Sequence, residues 1–142
     1  MTTPSAVVVG GDEPNVYAIS FNVEGATNVV GLVDRLIEKS KKVDVIAMGL
    51  QEFAGKPESG GVMKSALHDD FIRGFEKQEW SVGWDYFEGA GAEGIRGIGM
   101  YVATKHKAEF KTTYAVIHDS KFPIRNKGAV AVQCIVNNKR SE

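Results

Sequence analysis

Two polar residues at the ends of apolar runs are the candidates for chemistry in this sequence. Glu52 lies at the end of the run from Val43 to Phe53, VDVIAMGLQEF, and Asn22 ends the run VYAISFN. Such apolar runs are typical of strands buried on both faces, in which functional side chains lie at the strand end. A carboxylate and a carboxamide supply the oxygen ligands that a hard divalent cation prefers. The sequence therefore predicts a cation site formed by Asn22 and Glu52.

The segment between these two runs is predicted to bring their ends together. It has the spacing of an amphipathic helix, with Thr27 or Asn28 as the predicted N-cap. The apolar stripe of this helix consists of Val29, Leu32, Val33, Leu36 and Ile37. A strand, a helix and a second strand in this order form a right-handed crossover with parallel strands. We therefore expect Asn22 and Glu52 at the same carboxyl edge of an α/β sheet, where such sheets place their sites.

The remainder of the chain is predicted to contain one more helix and several strands. The helix is expected over Val62 to Lys77, with an apolar stripe of Met63, Leu67, Phe71 and Phe75. A strand is expected over Trp80 to Phe87. Three antiparallel strands are expected over residues 97–104, 109–117 and 128–136. The loop HDSKFPIRNKG before the last strand is long enough to be a functional candidate.

The composition is that of one soluble globular domain. The chain has 142 residues, of which 43% are hydrophobic and 25% charged. Neither a signal peptide nor a membrane-spanning run is recognisable, so we expect a cytoplasmic protein. The net charge of −1 is unevenly distributed, because residues 104–142 contain 8 Lys and Arg against 3 Asp and Glu. This basic end is compatible with a solvated edge, and it also favours a phosphorylated partner.

Cysteine and histidine residues, which often act as nucleophiles or metal ligands, form no recognisable motif in this sequence. Cys134 lies in the apolar run AVAVQCIV and is predicted to be a small buried side chain. His68 is predicted in a helix and His106 and His118 in loops, without the spacing of a metal motif. All three are therefore expected to be ordinary surface histidines. The remaining signal is a carboxylate at a strand end and a basic loop, which together point to phosphate chemistry.

Four blocks of the sequence resemble, in order and spacing, blocks of the inositol polyphosphate 5-phosphatases. They are FNVEG at 21–25, DVIAMGLQEF at 44–53, RGIGMYVATK at 96–105 and RNKGAVAVQ at 125–133. NKGAVAV is characteristic of the phosphatase branch, whereas LQE is shared with nucleases. The resemblance covers about residues 16–136. It implies a partial α/β sandwich of the endonuclease/exonuclease/phosphatase superfamily, with mixed β-sheets flanked by helices, and residues 1–142 as the N-terminal part of its catalytic domain.

The resemblance implies a role for each matching residue. Glu52 corresponds to the acidic Mg²⁺ ligand and Asn22 to the polar residue beside that metal. Asn126 and Lys127, with the adjoining Arg125, correspond to a block near the substrate pocket. The sequence departs from the family pattern at Arg125, where Gly is usual, and at Glu24, where a small residue is usual.

The blocks that carry the catalytic histidine and the general base in this family are not in the sequence. The resemblance therefore implies the front half of a domain, inactive alone, which when complete removes a phosphate from phosphoinositides or inositol polyphosphates. Such a protein would contact the cytosolic face of membranes and would not bind nucleic acid. Two alternatives stay open: a nuclease of the same superfamily, which NKGAVAV disfavours, and a non-catalytic truncated paralogue that binds partners or anionic lipid.

Overall fold

The structure is a computed structural model that describes residues 5–9, 14–23, 29–53, 56–57, 63–64, 66–89, 96–118 and 126–136. It is a small α/β protein. Its helices are α1 (Leu32–Ser40) and α2 (Ala66–Glu76). Its strands are β1 (Ser5–Val9), β2 (Val16–Asn22), β3 (Val45–Phe53), β4 (Lys56–Pro57), β5 (Met63–Lys64), β6 (Ser81–Gly89), β7 (Arg96–Thr104), β8 (Ala108–His118) and β9 (Asn126–Val136).

Four strands form a mixed sheet in the order β2-β3-β7-β6, and β1 extends it to five by pairing with β2. The pair β2–β3 is parallel, whereas the other pairs of this sheet are antiparallel. β8 and β9 form a separate two-stranded antiparallel sheet, and β4 pairs with β5. The parallel β2–α1–β3 unit predicted from the sequence is confirmed. The antiparallel character of the later strands is confirmed as well.

Helix α1 begins later than predicted. Gly31, with φ of 78°, is its N-cap, so the prediction that Thr27 or Asn28 caps the helix is wrong. A positive φ is easily adopted by glycine, which lets the chain turn sharply into the helix. The predicted apolar stripe is correct, because Leu32, Val33 and Leu36 are buried against the sheet. Val29 precedes the helix and is partly buried against the same core.

Helix α2 is also shorter than predicted. It begins at Ala66, and Met63 lies in the short strand β5 instead of the helix. Leu67, Phe71 and Phe75 are fully buried, as the spacing of four predicts. The helix ends in a Schellman motif, in which the backbone N–H of Trp80 donates to Phe75 and that of Glu79 to Glu76.

The main sheet lies between two other layers. One of its faces packs on the helices through alternate residues of its central strands, which are Ile19, Phe21, Ile46, Met48, Leu50, Tyr101 and Ala103. Strands β8 and β9 contact β6 and β7 on the opposite face. The two sheets approach closely at Gly83, where a Cβ atom would lie 2.2 Å from Cγ of Phe110. Glycine at this position therefore allows the ring of Phe110 to lie directly on β6.

Within the described residues, neither helix is long and apolar enough to cross a membrane. The predicted loop over 118–128 is shorter in the structure, because β8 extends to His118 and β9 begins at Asn126. Residues 119–125 lie outside the described part of the chain.

Candidate functional site

The carboxyl edge of the parallel pair places the two predicted metal ligands close together along the backbone. Asn22, the last residue of β2, pairs with Gln51 of β3, and Glu52 follows directly. The backbone N–H of Val23 donates to the carbonyl of Gln51 at 3.0 Å, which extends the pairing past the end of β2. The predicted placement of Asn22 and Glu52 at one edge of the sheet is therefore confirmed at the level of the backbone.

Strand β3 is irregular just where Glu52 lies. On the side of β7, Leu50 pairs with Gly99 and Phe53 with Gly97, so the register shifts between these two pairs. Gln51 and Glu52 lie within this shift. Bulges of this kind are common next to functional sites, since they redirect the strand and interrupt its pairing. The pairing with β7 resumes at Phe53, so the irregularity is confined to Gln51 and Glu52.

A side-chain hydrogen bond joins the same two strand ends. Nε2 of Gln51 donates to Oγ of Ser20 at 2.9 Å. Gly49 pairs with Ser20 in the same register. Sequence reasoning missed the pair, although Ser20 precedes Asn22 by two residues and so shares its face of the strand.

A cleft of about 400 Å³ lies beside these residues, between the main sheet and β9. Ser20, Gly49 and Gln51 line it from the main sheet, and Val130 lines it from β9. The small side chains on this face of β2 and β3 leave the space that the cleft occupies. Its polar lining residues come from the strand ends that carry Asn22 and Glu52.

The residue types at the edge fit a magnesium ion. A carboxylate and an amide oxygen are suitable for Mg²⁺, which usually takes one or two carboxylates and completes its shell with water and phosphate. The described part of the chain contains no group of three or more His, Cys, Asp or Glu side chains that could hold a metal. Joint binding of Mg²⁺ by Asn22 and Glu52 stays a prediction.

The residues predicted to bind substrate lie at the start of β9. Asn126 pairs with His118 and Lys127 with Ile117, so both belong to a strand and not to a loop. Arg125 lies outside the described residues. His118 is likewise the last residue of β8, and its predicted position in a loop is wrong.

A charged cluster at the opposite, amino edge of β3 was not anticipated. Asp44 forms an ion pair with Lys105 and accepts the backbone N–H of Asn15 at 2.8 Å. Both hydrogen bonds hold the pKa of Asp44 below its usual range, and the bond from Lys105 has the larger effect. The backbone carbonyl of Asp44 accepts the hydroxyl of Thr104 at 3.0 Å. The cluster ties the beginning of β3 to the preceding segment and to the end of β7.

His68 is a buried residue, so the prediction of a surface histidine is wrong. Nδ1 of His68 lies 2.7 Å from the hydroxyl of Tyr101, and the imidazole meets the ring of Trp84 edge to face at 4.5 Å. Burial lowers the pKa of His68, and the carboxylate of Asp69 opposes part of this shift. Burial, with Tyr86 and Asp69 adding to it, raises the pKa of Tyr101 well above its ordinary value. This cluster lies under α2 and serves the packing of the helix on the sheet.

His106 and Cys134, two other potentially reactive side chains of the described residues, have ordinary surroundings. His106 is half-buried, with Nε2 3.8 Å from Asp44. Cys134 is half-buried in β9 and free, and burial raises the pKa of its thiol. Cys134 was predicted to be buried, and the structure buries it only in part; its raised pKa lowers the share of the reactive thiolate.

Comparisons with models of protein families, with curated proteins and with solved structures find no match for this chain.

Proposed function

We propose that this chain forms the metal-binding part of a Mg²⁺-dependent phosphatase that acts on phosphoinositides or soluble inositol polyphosphates. In this proposal the layered fold belongs to an α/β sandwich of the endonuclease/exonuclease/phosphatase type. The observation that carries the proposal is the parallel pairing of Asn22 with Gln51, which brings Asn22 and Glu52 to one edge beside a cleft. The four sequence blocks that resemble 5-phosphatases support the same assignment.

The proposed roles follow from the chemistry of each residue. Glu52 and Asn22 would hold Mg²⁺ through their side-chain oxygens. Bound Mg²⁺ would supply the polarisation of the phosphoryl oxygens that hydrolysis requires. Lys127, with Asn126 and Arg125, would bind phosphate groups of the substrate. The net charge of +5 over residues 104–142 favours the approach of such an anion.

The 142 residues do not contain the family's blocks for the catalytic histidine and the general base. Proton transfer and orientation of the attacking water contribute many orders of magnitude to the rate of such a reaction. We therefore expect no measurable phosphate release by these 142 residues alone. The activity would belong to a protein, or a complex, in which this region is joined to those groups.

The test is a Glu52→Gln substitution in the longest natural product that contains this region. Phosphate release is measured with soluble inositol trisphosphate and with vesicles containing phosphatidylinositol bisphosphate. Glu52→Gln should reduce Mg²⁺-dependent release by at least about a hundredfold, because it removes the charge that holds a hard cation. Glu109→Gln is the matched control, since Glu109 is an exposed carboxylate on β8, and it should leave the rate unchanged.

Two results would refute the proposal. Unchanged turnover of the Glu52→Gln protein at saturating Mg²⁺ would mean that Glu52 is structural. Hydrolysis of DNA, with no release from either inositol substrate, would assign the region to a nuclease.

A further inference from the structure

The hydrogen bond between Gln51 and Ser20 joins the two proposed metal-binding strand ends through side chains. Nε2 of Gln51 is 2.9 Å from Oγ of Ser20. Gln51 pairs with Asn22 and immediately precedes Glu52. A restraint on Gln51 is therefore a restraint on the spacing between Asn22 and Glu52.

The restraint matters because the pairing of β3 on its other side is irregular at the same residues. The register shift between Leu50 and Phe53 interrupts the regular pairing with β7 across Gln51 and Glu52. On the side of β2, the carbonyl of Gln51 accepts the backbone N–H of Val23, and its side chain donates to Ser20. The Ser20 bond can be removed by substitution without altering the backbone.

We propose that Ser20 and Gln51 are positioning residues, which set the distance between Asn22 and Glu52 and thereby the affinity of this edge for a divalent cation. The inference rests on the proposed function. Groups that orient metal ligands commonly change metal affinity by 10–100-fold when they are removed. Since Ser20 is exposed, where water competes for the bond, we expect the lower end of this range.

The experiment measures binding of Mn²⁺, used as a paramagnetic substitute for Mg²⁺, to the 142-residue chain by electron paramagnetic resonance. Ser20→Ala should weaken Mn²⁺ binding about tenfold. Ser20→Thr keeps the hydroxyl and should restore the wild-type affinity. Glu52→Gln locates the ion and should abolish binding.

Ser40→Ala is the matched control. Oγ of Ser40 donates to the carbonyl of Ile37 at 2.5 Å, and Ser40 ends α1 near the amino edge of the sheet. Its replacement removes one serine hydrogen bond at a distance from the site. It should lower the urea midpoint of unfolding and leave Mn²⁺ affinity unchanged. A purely structural role of Ser20 would give the same result as Ser40.

The outcomes separate this inference from the proposed function. Wild-type Mn²⁺ affinity in Ser20→Ala, or failure of Ser20→Thr to restore the affinity, would overturn the positioning role while the metal site stands. No Mn²⁺ binding by the wild-type chain, or binding that survives Glu52→Gln, would overturn the proposed metal site and the inference with it.

Discussion

His68 and Tyr101 form a buried polar pair, with Nδ1 of the imidazole 2.7 Å from the phenol oxygen. His68 belongs to α2 and Tyr101 to the central part of β7, so the bond joins the helix to the sheet. The relative exposure of these residues is 7% and 0%. At such a position a histidine is stable chiefly in its neutral form, because burial opposes the charge.

This burial predicts a dependence of stability on pH. The folded-state pKa of His68 is below the ordinary 6.5, so the unfolded chain binds the proton more readily. The contribution of neutral His68 is therefore complete above about pH 6.5 and is lost as the pH falls from there through the lower folded-state pKa. The free energy of unfolding, measured by urea titration, should decrease over this interval by up to about 1.4 kcal/mol per pH unit.

His68→Gln should remove this portion of the pH dependence, because the amide does not titrate. Tyr101→Phe is the control and should keep this pH dependence. Burial is the main cause of the lowered pKa of His68, and the phenylalanine ring preserves the burial. A slope near pH 6 that is the same in His68→Gln and the wild type would contradict the assignment to His68.

The second prediction concerns the contact between the two sheets. Gly83→Ala would place a methyl group 2.2 Å from Cγ of Phe110, so one of the sheets must shift. We expect a loss of about 1–3 kcal/mol in the free energy of unfolding, as in other overpacked interiors. In the background Phe110→Gly, which also removes the Cβ atom of residue 110 that would lie 2.7 Å from the new methyl group, the same substitution should cost much less. Equal costs in the two backgrounds, measured by urea unfolding, would show that Phe110 is not the obstacle.

The third prediction is that the two partners of the ion pair at the amino edge, Asp44 and Lys105, contribute unequally to stability. Asp44→Ala should cost about 2 kcal/mol, because it removes the partner of Lys105 and leaves the backbone N–H of Asn15 without its acceptor. Lys105→Met should cost about 0.5 kcal/mol or less, since the lysine is half-exposed and surface pairs contribute little. Comparable losses for the two variants in urea would refute this asymmetry.

The fourth prediction is a stabilising substitution. Glu79 has φ of 63° at the left-handed position of the Schellman motif that ends α2. Glycine adopts this conformation without the steric cost of a side chain, so Glu79→Gly should raise the free energy of unfolding by about 0.5–1 kcal/mol. Arg73→Gly, at an exposed position inside the helix, is the control and should lower it by a similar amount. Destabilisation by Glu79→Gly would mean that its side chain contributes more than the strain costs.

The fifth prediction concerns the basic residue at the start of β9. Lys127→Gln should weaken binding of soluble inositol trisphosphate about three- to tenfold, because the proposed function assigns this cation to the phosphate groups. Lys111→Gln is the control, since Lys111 is an exposed lysine of β8 in the same two-stranded sheet. Isothermal titration calorimetry with the longest natural product measures both. An equal loss for the two variants would indicate attraction by overall charge only.

The sequence was sufficient for features that depend on local periodicity. The spacing of Leu32, Val33 and Leu36 identified the buried face of α1, and the apolar run before Glu52 identified a central strand. Together they predicted the parallel pair, and with it the common edge of Asn22 and Glu52.

Features that depend on contacts between distant segments were not predictable in this way. The position of β7 between β3 and β6 is decided by pairing across the whole chain, and so is the register shift beside Glu52. His68 looks like a surface residue because Asp69 follows it, whereas in the structure the rings of Trp84 and Tyr101, which are distant in sequence, pack against it. The bond between Ser20 and Gln51 likewise requires the register of two strands.

The two ends of β3 are held unequally. At the amino edge, Asp44 is joined to Asn15, Thr104 and Lys105, whereas near the other edge the pairing with β7 shifts register between Leu50 and Phe53. Transient local opening therefore costs less free energy at the carboxyl edge, and amide hydrogens there should exchange with solvent sooner than those near Val45. Faster exchange there would mean that the proposed ligands lie in a part of the strand that can adjust around an ion while the rest of the sheet stays folded.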